Sequence, residues 1–268
     1  MDTDLQSQTI RDFGRQWTAY TDNSGYYGSV DLLADMIAPF LVPSDFAGKR
    51  VGDIGSGTGR IVGMLLGAGA AQVVAVEPSE AYAVLRENLA TAGERVVAMN
   101  ILGEQLPAGL DLDLIVSMGV LHHIPEPDPT VRAAFNALAP GGRCLVWLYA
   151  WEGNGLYLSL VQPLRLVTKR LPQWALAGVS HVLNWMLDIY ILACRFIPLP
   201  KRAYVEHVIG HFDRDKRYLV IYDQLNPAYA KYYTKQEAEG LLKRAGFVNV
   251  ETHHRHGYSW TVVGSRPA

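Results

Sequence analysis

From Arg50 onward the chain alternates short runs of Val, Ile and Ala with longer stretches whose apolar residues recur every three or four positions. The short runs at 50–54, 73–77, 95–99, 112–117 and 143–149 read as strands, and the periodic stretches between them as helices. Strands that are apolar at almost every position are covered on both faces, so the alternation predicts an α/β chain with a parallel sheet between helices. Near the C-terminus the pattern changes. Thr234-Lys-Gln-Glu237 reads as a capping box, its hydroxyl and carboxylate each satisfying a free amide at a helix start, with Gly246 as the left-handed stop. The β-rich runs 247–252 and 258–263, separated by His253-His-Arg-His-Gly257, predict an antiparallel hairpin.

Two regions lie outside this alternation. Residues 1–47 form an N-terminal lid or helical segment: Phe13, Trp17, Tyr20, Asn23, Tyr26 and Tyr27 make it aromatic and polar before an amphipathic helix starts at Asp31. Residues 151–225 form an apolar helical insertion between the two parts of the core, 48–150 and 226–268. Its stretch 171–187 carries no charge when His181 is neutral, yet Gln173, His181 and Asn184 interrupt it too early for a membrane span. Three readings are open for 155–200: a cap over the substrate, a homodimer contact, or peripheral membrane attachment. The last draws on Arg165, Lys169, Arg170, Arg195, Lys201 and Arg202, which flank the apolar stretch.

The chemistry concentrates in Val51-Gly-Asp-Ile-Gly-Ser-Gly-Thr-Gly-Arg60. Its glycines let the backbone turn hard after a strand and come within contact distance of a ligand that a Cβ would push away. Asp53 stands where a carboxylate reaches a ligand amine or fixes the loop. The Gly-x-Gly-x-Gly spacing departs from the Gly-x-Gly-x-x-Gly of dinucleotide sites and points away from NAD. Glu77, closing the second strand, is placed to accept both hydroxyls of a ribose.

Taken in order, Asp53-Ile-Gly-Ser-Gly-Thr-Gly59, Val76-Glu-Pro-Ser79, Leu121-His-His-Ile124 and Leu138-Ala-Pro-Gly-Gly-Arg143 resemble the class I S-adenosylmethionine-dependent methyltransferases that act on small molecules. The resemblance implies a Rossmann-like, doubly wound, mostly parallel seven-stranded sheet that the C-terminal hairpin completes, with S-adenosylmethionine as cofactor. It puts Asp53, Gly55, Ser56, Gly57 and Gly59 under the methionine part and Glu77 on the ribose. Pro78 and Ser79 flank the adenosine, Gly103 and Glu104 lie by the adenine, and Ser117 and Met118 end the fourth strand beside the cofactor. An acid commonly stands in the family where this chain has Leu102, so main chain at Gly103 takes that contact. Tyr26 is the preferred lid residue, an aromatic face that attracts a sulfonium and excludes water.

Methyl transfer from a sulfonium is an in-line displacement, so the protein aligns the reactants and dries the site; no metal is required. A hydroxyl acceptor gains from a base, and His122 and His123 follow the fourth strand at the sheet edge where ligands bind. The competing reading is a structural histidine bonded to a backbone carbonyl. His123 holds the family's more typical position. Asp223, Asn226 and Tyr229, around the turn at Pro227, make an acceptor wall. His253, His254 and His256 read as a solvated turn rather than a metal cluster.

The chain has 268 residues and a net charge of −2, a balance with no field to gather a polyanion. It also lacks the Asn/Asp-Pro-Pro-aromatic loop that grips planar amines. The expected acceptor is therefore a small, hydrophobic molecule methylated on oxygen or carbon, such as a secondary metabolite, a quinone precursor or a lipid-linked compound, and nucleic acid is expected to be excluded. Cys144 and Cys194 read as core thiols in a reducing compartment and no signal peptide is seen, which predicts a cytoplasmic protein, free or attached to a membrane through the insertion. Two other readings stay open: a noncatalytic cofactor-binding scaffold, and an NAD-dependent oxidoreductase, for which no Tyr-x-x-x-Lys is found.

Overall fold

The computed structural model describes residues 2–168, 171–225 and 229–268. A seven-stranded sheet runs through it in the order β3-β2-β1-β4-β5-β7-β6. The strands are β1 (Arg50–Ile54), β2 (Gln72–Val76), β3 (Val96–Met99), β4 (Leu112–Met118), β5 (Leu138–Tyr149), β6 (Val248–Arg255) and β7 (Ser259–Ser265). All neighbours are parallel except β5–β7 and β6–β7. Strand order reverses between β1 and β4, and at such a reversal the loops leaving the carboxyl ends diverge and open a crevice.

Helices α2 (Val30–Ile37) and α3 (Arg60–Gly67) pack one face through Leu33, Ile37 and Leu65. The other face is covered by α5 (Asp128–Ala137) and α10 (Lys235–Ala245) through Val131, Ala134, Leu241 and Leu242. Burial on both sides explains why the central strands show no alternation. The Thr234 hydroxyl accepts from Glu237 N–H at 3.3 Å while Glu237 Oε2 accepts from Thr234 N–H at 2.9 Å, and α10 ends on Gly246 at φ 104°.

In the N-terminal stretch α1 spans Asp2–Ala19 and lies against α4 (Ala81–Asn88). Two local expectations change. The Pro-Gly-Gly segment does not precede β5 but bulges within it, Leu112 pairing with Leu138 and Leu114 with Arg143, because the backbone of Gly142 must pass the Leu112 and Asp113 carbonyls. The hairpin turns later than its composition suggests. His253 and His254 belong to β6, and the tight turn falls at His256 and Gly257, both at positive φ.

That turn is clamped to α2. The Arg255 guanidinium, 2% exposed, pairs with Asp35 and donates from Nε to the Asp35 carbonyl at 3.1 Å, while the His256 ring meets Asp35 Oδ1 at 2.7 Å. Removing one partner of a buried ion pair strands the other charge. Asp35→Ala is therefore expected to lower unfolding free energy in urea by roughly 3 kcal/mol, and Asp35→Asn by less.

Candidate functional site

The chain leaves β1 through a loop tied to β2: Gly55 and Ser56 N–H donate to the Val76 carbonyl at 2.9 and 3.0 Å. At Gly55, with φ 80°, a Cβ would come within 2.4 Å of Val120, so no other residue fits that turn. Gly57 N–H donates to Glu77 Oε2 at 2.8 Å, and Ser79 gives Glu77 Oε1 its N–H at 2.9 Å and its hydroxyl at 2.5 Å. One carboxylate thus fastens the loop after β1 to the turn after β2.

Above the loop opens a cavity of about 730 Å³, inside the ~300–1,000 Å³ range of ordinary ligand pockets. Of the residues expected to hold the cofactor, Gly55, Ser56, Gly57, Glu77, Pro78 and Ser79 line it, and Gly103 and Met118 join them from the β3 and β4 sides. Others do not reach it. Gly59 caps α3, Ser117 is buried and donates to the Ile54 carbonyl at 3.2 Å, and Glu104 faces solvent. Asp53 lies sealed beneath the loop; neither carboxylate oxygen has a hydrogen-bond partner among the described residues, and burial pushes the carboxyl up to about 7.

Helix α1 makes the roof. Phe13 meets the His123 ring edge-on at 4.7 Å, and the Trp17 indole lies 3.6 Å from where a Gly57 Cβ would be. Tyr26 turns away to pack on His211 and Phe212, so the cavity-facing tyrosine is its neighbour Tyr27, whose ring carries the Arg60 guanidinium at 4.3 Å. The expected aromatic roof thus uses Trp17, Phe13 and Tyr27 in place of Tyr26.

The two histidines have different surroundings. His123 lines the cavity, and its Nδ1 lies 2.8 Å from the Tyr229 carbonyl. A carbonyl only accepts, so the neutral ring carries its proton on Nδ1 and leaves Nε2 with a free lone pair. Burial holds the ring down at about 4, so it is neutral at pH 7. His122 is fully buried behind Tyr149, ring centroids 3.8 Å apart, off the cavity wall and with both nitrogens unpartnered among the described residues. It packs; it has no path to an acceptor.

The far wall comes from the insertion, built of α6 (Gly155–Thr168), α7 (Gln173–Cys194), α8 (Arg202–His207) and α9 (Arg214–Leu225). Asp223 and Gln224 at the end of α9 face the cavity. Asp223 accepts from Gln16 Nε2 at 3.2 Å, and burial pushes its carboxyl up to about 6. Gln224 was not among the expected site residues, although it adjoins Asp223. It donates to Tyr149 at 2.6 Å and accepts from Tyr157 at 2.9 Å, while Arg165 Nε donates to its carbonyl at 2.5 Å. Tyr229 contributes its carbonyl to His123, and Asn226 lies outside the described residues.

A fold of this order with this loop matches known proteins in the same place. Residues 53–144 match the family model described as a methyltransferase domain. Residues 53–144 therefore carry a methyltransferase domain, set in the Rossmann-like fold of S-adenosylmethionine-dependent methyltransferases. A tRNA U34 carboxymethyltransferase of Ectopseudomonas mendocina is 32% identical over 155 residues, 56% of this chain and 46% of that protein. This chain spans about half or less of the curated relatives it matches. Among solved structures, a Burkholderia thailandensis 1,6-didemethyltoxoflavin-N1-methyltransferase aligns with a TM-score of 0.55 at 17% identity, covering 99% of this chain and 88% of that one. A methyltransferase from Aquifex aeolicus aligns with a TM-score of 0.51 at 14% identity, over 94% and 98%. Such low identities speak for the fold alone.

These relatives correct one expectation. Nucleic acid is not excluded as a partner, because the curated relatives are named for tRNA. A net charge summed over a whole chain says nothing about the field at one mouth of a cavity.

The residues present fit the methyltransferase cofactor. A cationic ligand above the loop would offset the buried Asp53 carboxylate, which has no hydrogen-bond partner among the described residues, and Glu77 Oε2, with a single donor, keeps one lone pair for a hydroxyl. Glu77→Ala is expected to weaken S-adenosylhomocysteine binding roughly tenfold to a hundredfold by calorimetry, the worth of a charged hydrogen-bonded group. Asp53 gives a pH test. Its carboxyl titrates at 3.8 without perturbation and about 7 in the fold, so between those values the folded protein holds a proton that the unfolded chain has lost. That contribution to stability is present below the lower value and vanishes as pH climbs through the upper one. Thermal melts of Asp53→Asn against the parent should show the variant gaining relative stability from about pH 5 to about pH 8.

Proposed function

We propose that this chain transfers a methyl group from S-adenosylmethionine to oxygen or carbon of a hydrophobic acceptor bound between the glycine loop and the helical insertion. The observation that carries this reading is the composition of the cavity: a largely apolar enclosure in which His123, after β4, and Asp223, from the insertion, are among the polar groups on the wall beyond the glycine loop. The bound cofactor supplies an electrophilic methyl on a sulfonium. The protein aligns the acceptor and excludes water, with α1 as roof.

Of the two polar groups, Asp223 is the better proton acceptor. Its carboxyl sits near 6, close to working pH, whereas the His123 ring near 4 holds a proton too weakly. The one hydroxyl proton passes to the Asp223 carboxylate as the oxygen takes the methyl, and the neutral His123 ring lines the cavity beside the acceptor without taking that proton. His122 has no part in this assignment.

The relatives' names favour a second reading, group transfer to a tRNA base. One experiment separates the two. The full chain is incubated with methyl-labelled S-adenosylmethionine and, in parallel, with a lipid extract, a panel of phenols and quinone precursors, and total tRNA. Label in the extract or panel supports the hydrophobic acceptor; label in tRNA alone overturns it. Cofactor binding without turnover on any of them would return the scaffold reading. On the accepted substrate, Asp223→Asn should cut turnover by roughly 100-fold or more while leaving S-adenosylhomocysteine affinity unchanged. The parent rate should rise as pH climbs through about 6, where Asp223 ionises, and the variant should lose that limb.

A further inference from the structure

Helix α7 is 22 residues long and has two unlike faces. Inward, Leu176, Ser180 and Asn184 are buried; Asn184 donates to the Arg214 carbonyl at 2.8 Å, and Asp188 pairs with Arg217 at 2.6 Å. Outward, Trp174, Val182, Trp185, Ile189 and Leu192 follow one another at helical spacing and are exposed, Trp174 by 79%, and Phe196, two residues past the helix, is exposed by 80%. The segment Trp174–Cys194 has a mean hydropathy of 1.4, long and apolar enough to cross a bilayer, but its inner face is committed to α9. Such a helix lies along an interface rather than through it.

The decisive feature is where the cavity opens. Leu160 of α6 and Met186 of α7 line the cavity and are also exposed, by 67% and 54%. The apolar face and the acceptor cavity are therefore one continuous surface, with its mouth between the two helices. A protein partner seated there would stopper the mouth; a fluid apolar phase would feed it. An anionic headgroup would meet a cation beside the apolar stripe: Arg195, just past α7, is exposed and makes no ion pair among the described residues. Trp174 and Trp185 are amphipathic side chains of the kind that settle at a membrane surface.

We propose that the outer face of α6 and α7 seats in one leaflet of an anionic membrane, and that the methyl acceptor is an amphiphile of that leaflet. Its tail stays in the bilayer while its head slides between the helices toward His123 and Asp223. This rests on the hydrophobic-acceptor reading above.

The test uses the full chain with vesicles of phosphatidylcholine and phosphatidylglycerol whose acyl chains are brominated. Tryptophan fluorescence should be quenched on vesicle binding, and Trp174→Phe and Trp185→Phe should each remove part of the quenching. The Trp174→Glu, Phe196→Glu double variant should bind vesicles roughly tenfold or more weakly and bind S-adenosylhomocysteine as the parent does. A parent that binds S-adenosylhomocysteine but shows no quenching overturns the membrane proposal and leaves the cofactor site standing. A parent that does not bind it at all overturns the reading beneath. A dimer by light scattering that the double variant abolishes, with no quenching, also overturns the proposal and makes this face a contact between copies.

Discussion

The site depends on one carboxylate. Glu77 takes the Gly57 amide with one oxygen and two donors of Ser79 with the other, so two loops from neighbouring strands share a single anchor. Where that anchor sits is fixed by register, Ile54 of β1 lying opposite Val76 of β2 in a parallel pair buried on both faces. A slip of one residue would point Glu77 into a helix layer. The sheet thus delivers a charged group to the crevice, where it takes two backbone N–H groups that tight turns would otherwise leave unsatisfied and the Ser79 hydroxyl besides.

The second requirement is a dry cavity, and here distant parts of the chain cooperate. Helix α1 is held over the crevice by polar ties to the insertion. Gln16 reaches Asp223, Tyr20 meets the Tyr218 hydroxyl at 3.3 Å, and the buried Lys216 ammonium pairs with Asp22 at 2.9 Å. Roof and far wall therefore hold each other in place. The same enclosure raises the Asp223 carboxyl, so the feature that excludes water also tunes the group placed to take a proton.

Much of this is legible in the chain because local chemistry decides it. The apolar runs locate all five parallel strands, the Thr234–Glu237 box starts α10, and the glycine spacing after β1 marks the bend around a ligand. What is not legible is set by pairing across the sheet or by contacts between remote segments. Pro140 and Gly141 read as a turn before a strand, yet the neighbouring β4 captures Leu138 and makes them a bulge. Tyr26 and Tyr27 are equivalent in composition; His211, 185 residues after Tyr26, packs on the Tyr26 ring at 5.0 Å off the cavity, while Tyr27 stands edge-on to Phe212 on the cavity wall. His122 and His123 likewise differ only through Tyr149 and the Tyr229 carbonyl. Gln224 gives no signal of its own because an amide becomes a hub only when three tyrosines and an arginine from other elements converge on it.

Helix α7 is built inside out. A surface helix in water turns its polar stripe outward, whereas here Ser180 and Asn184 face the protein and tryptophans face away. Donors inside are paired, the Ser180 hydroxyl with the Leu176 carbonyl at 2.9 Å and Asn184 Nδ2 with that of Arg214, while Asn184 Oδ1 has no partner among the described residues. Apolar groups outside have no such compensation in water: leaving a Trp or Phe exposed forgoes about 1.5–3 kcal/mol that burial would return. Several in one stripe amount to a free-energy difference far beyond what packing against α9 can hide, since that face is already used. The arrangement has its lowest free energy where the medium outside α7 is less polar than the contacts within, and the mouth at Leu160 and Met186 opens into that same medium.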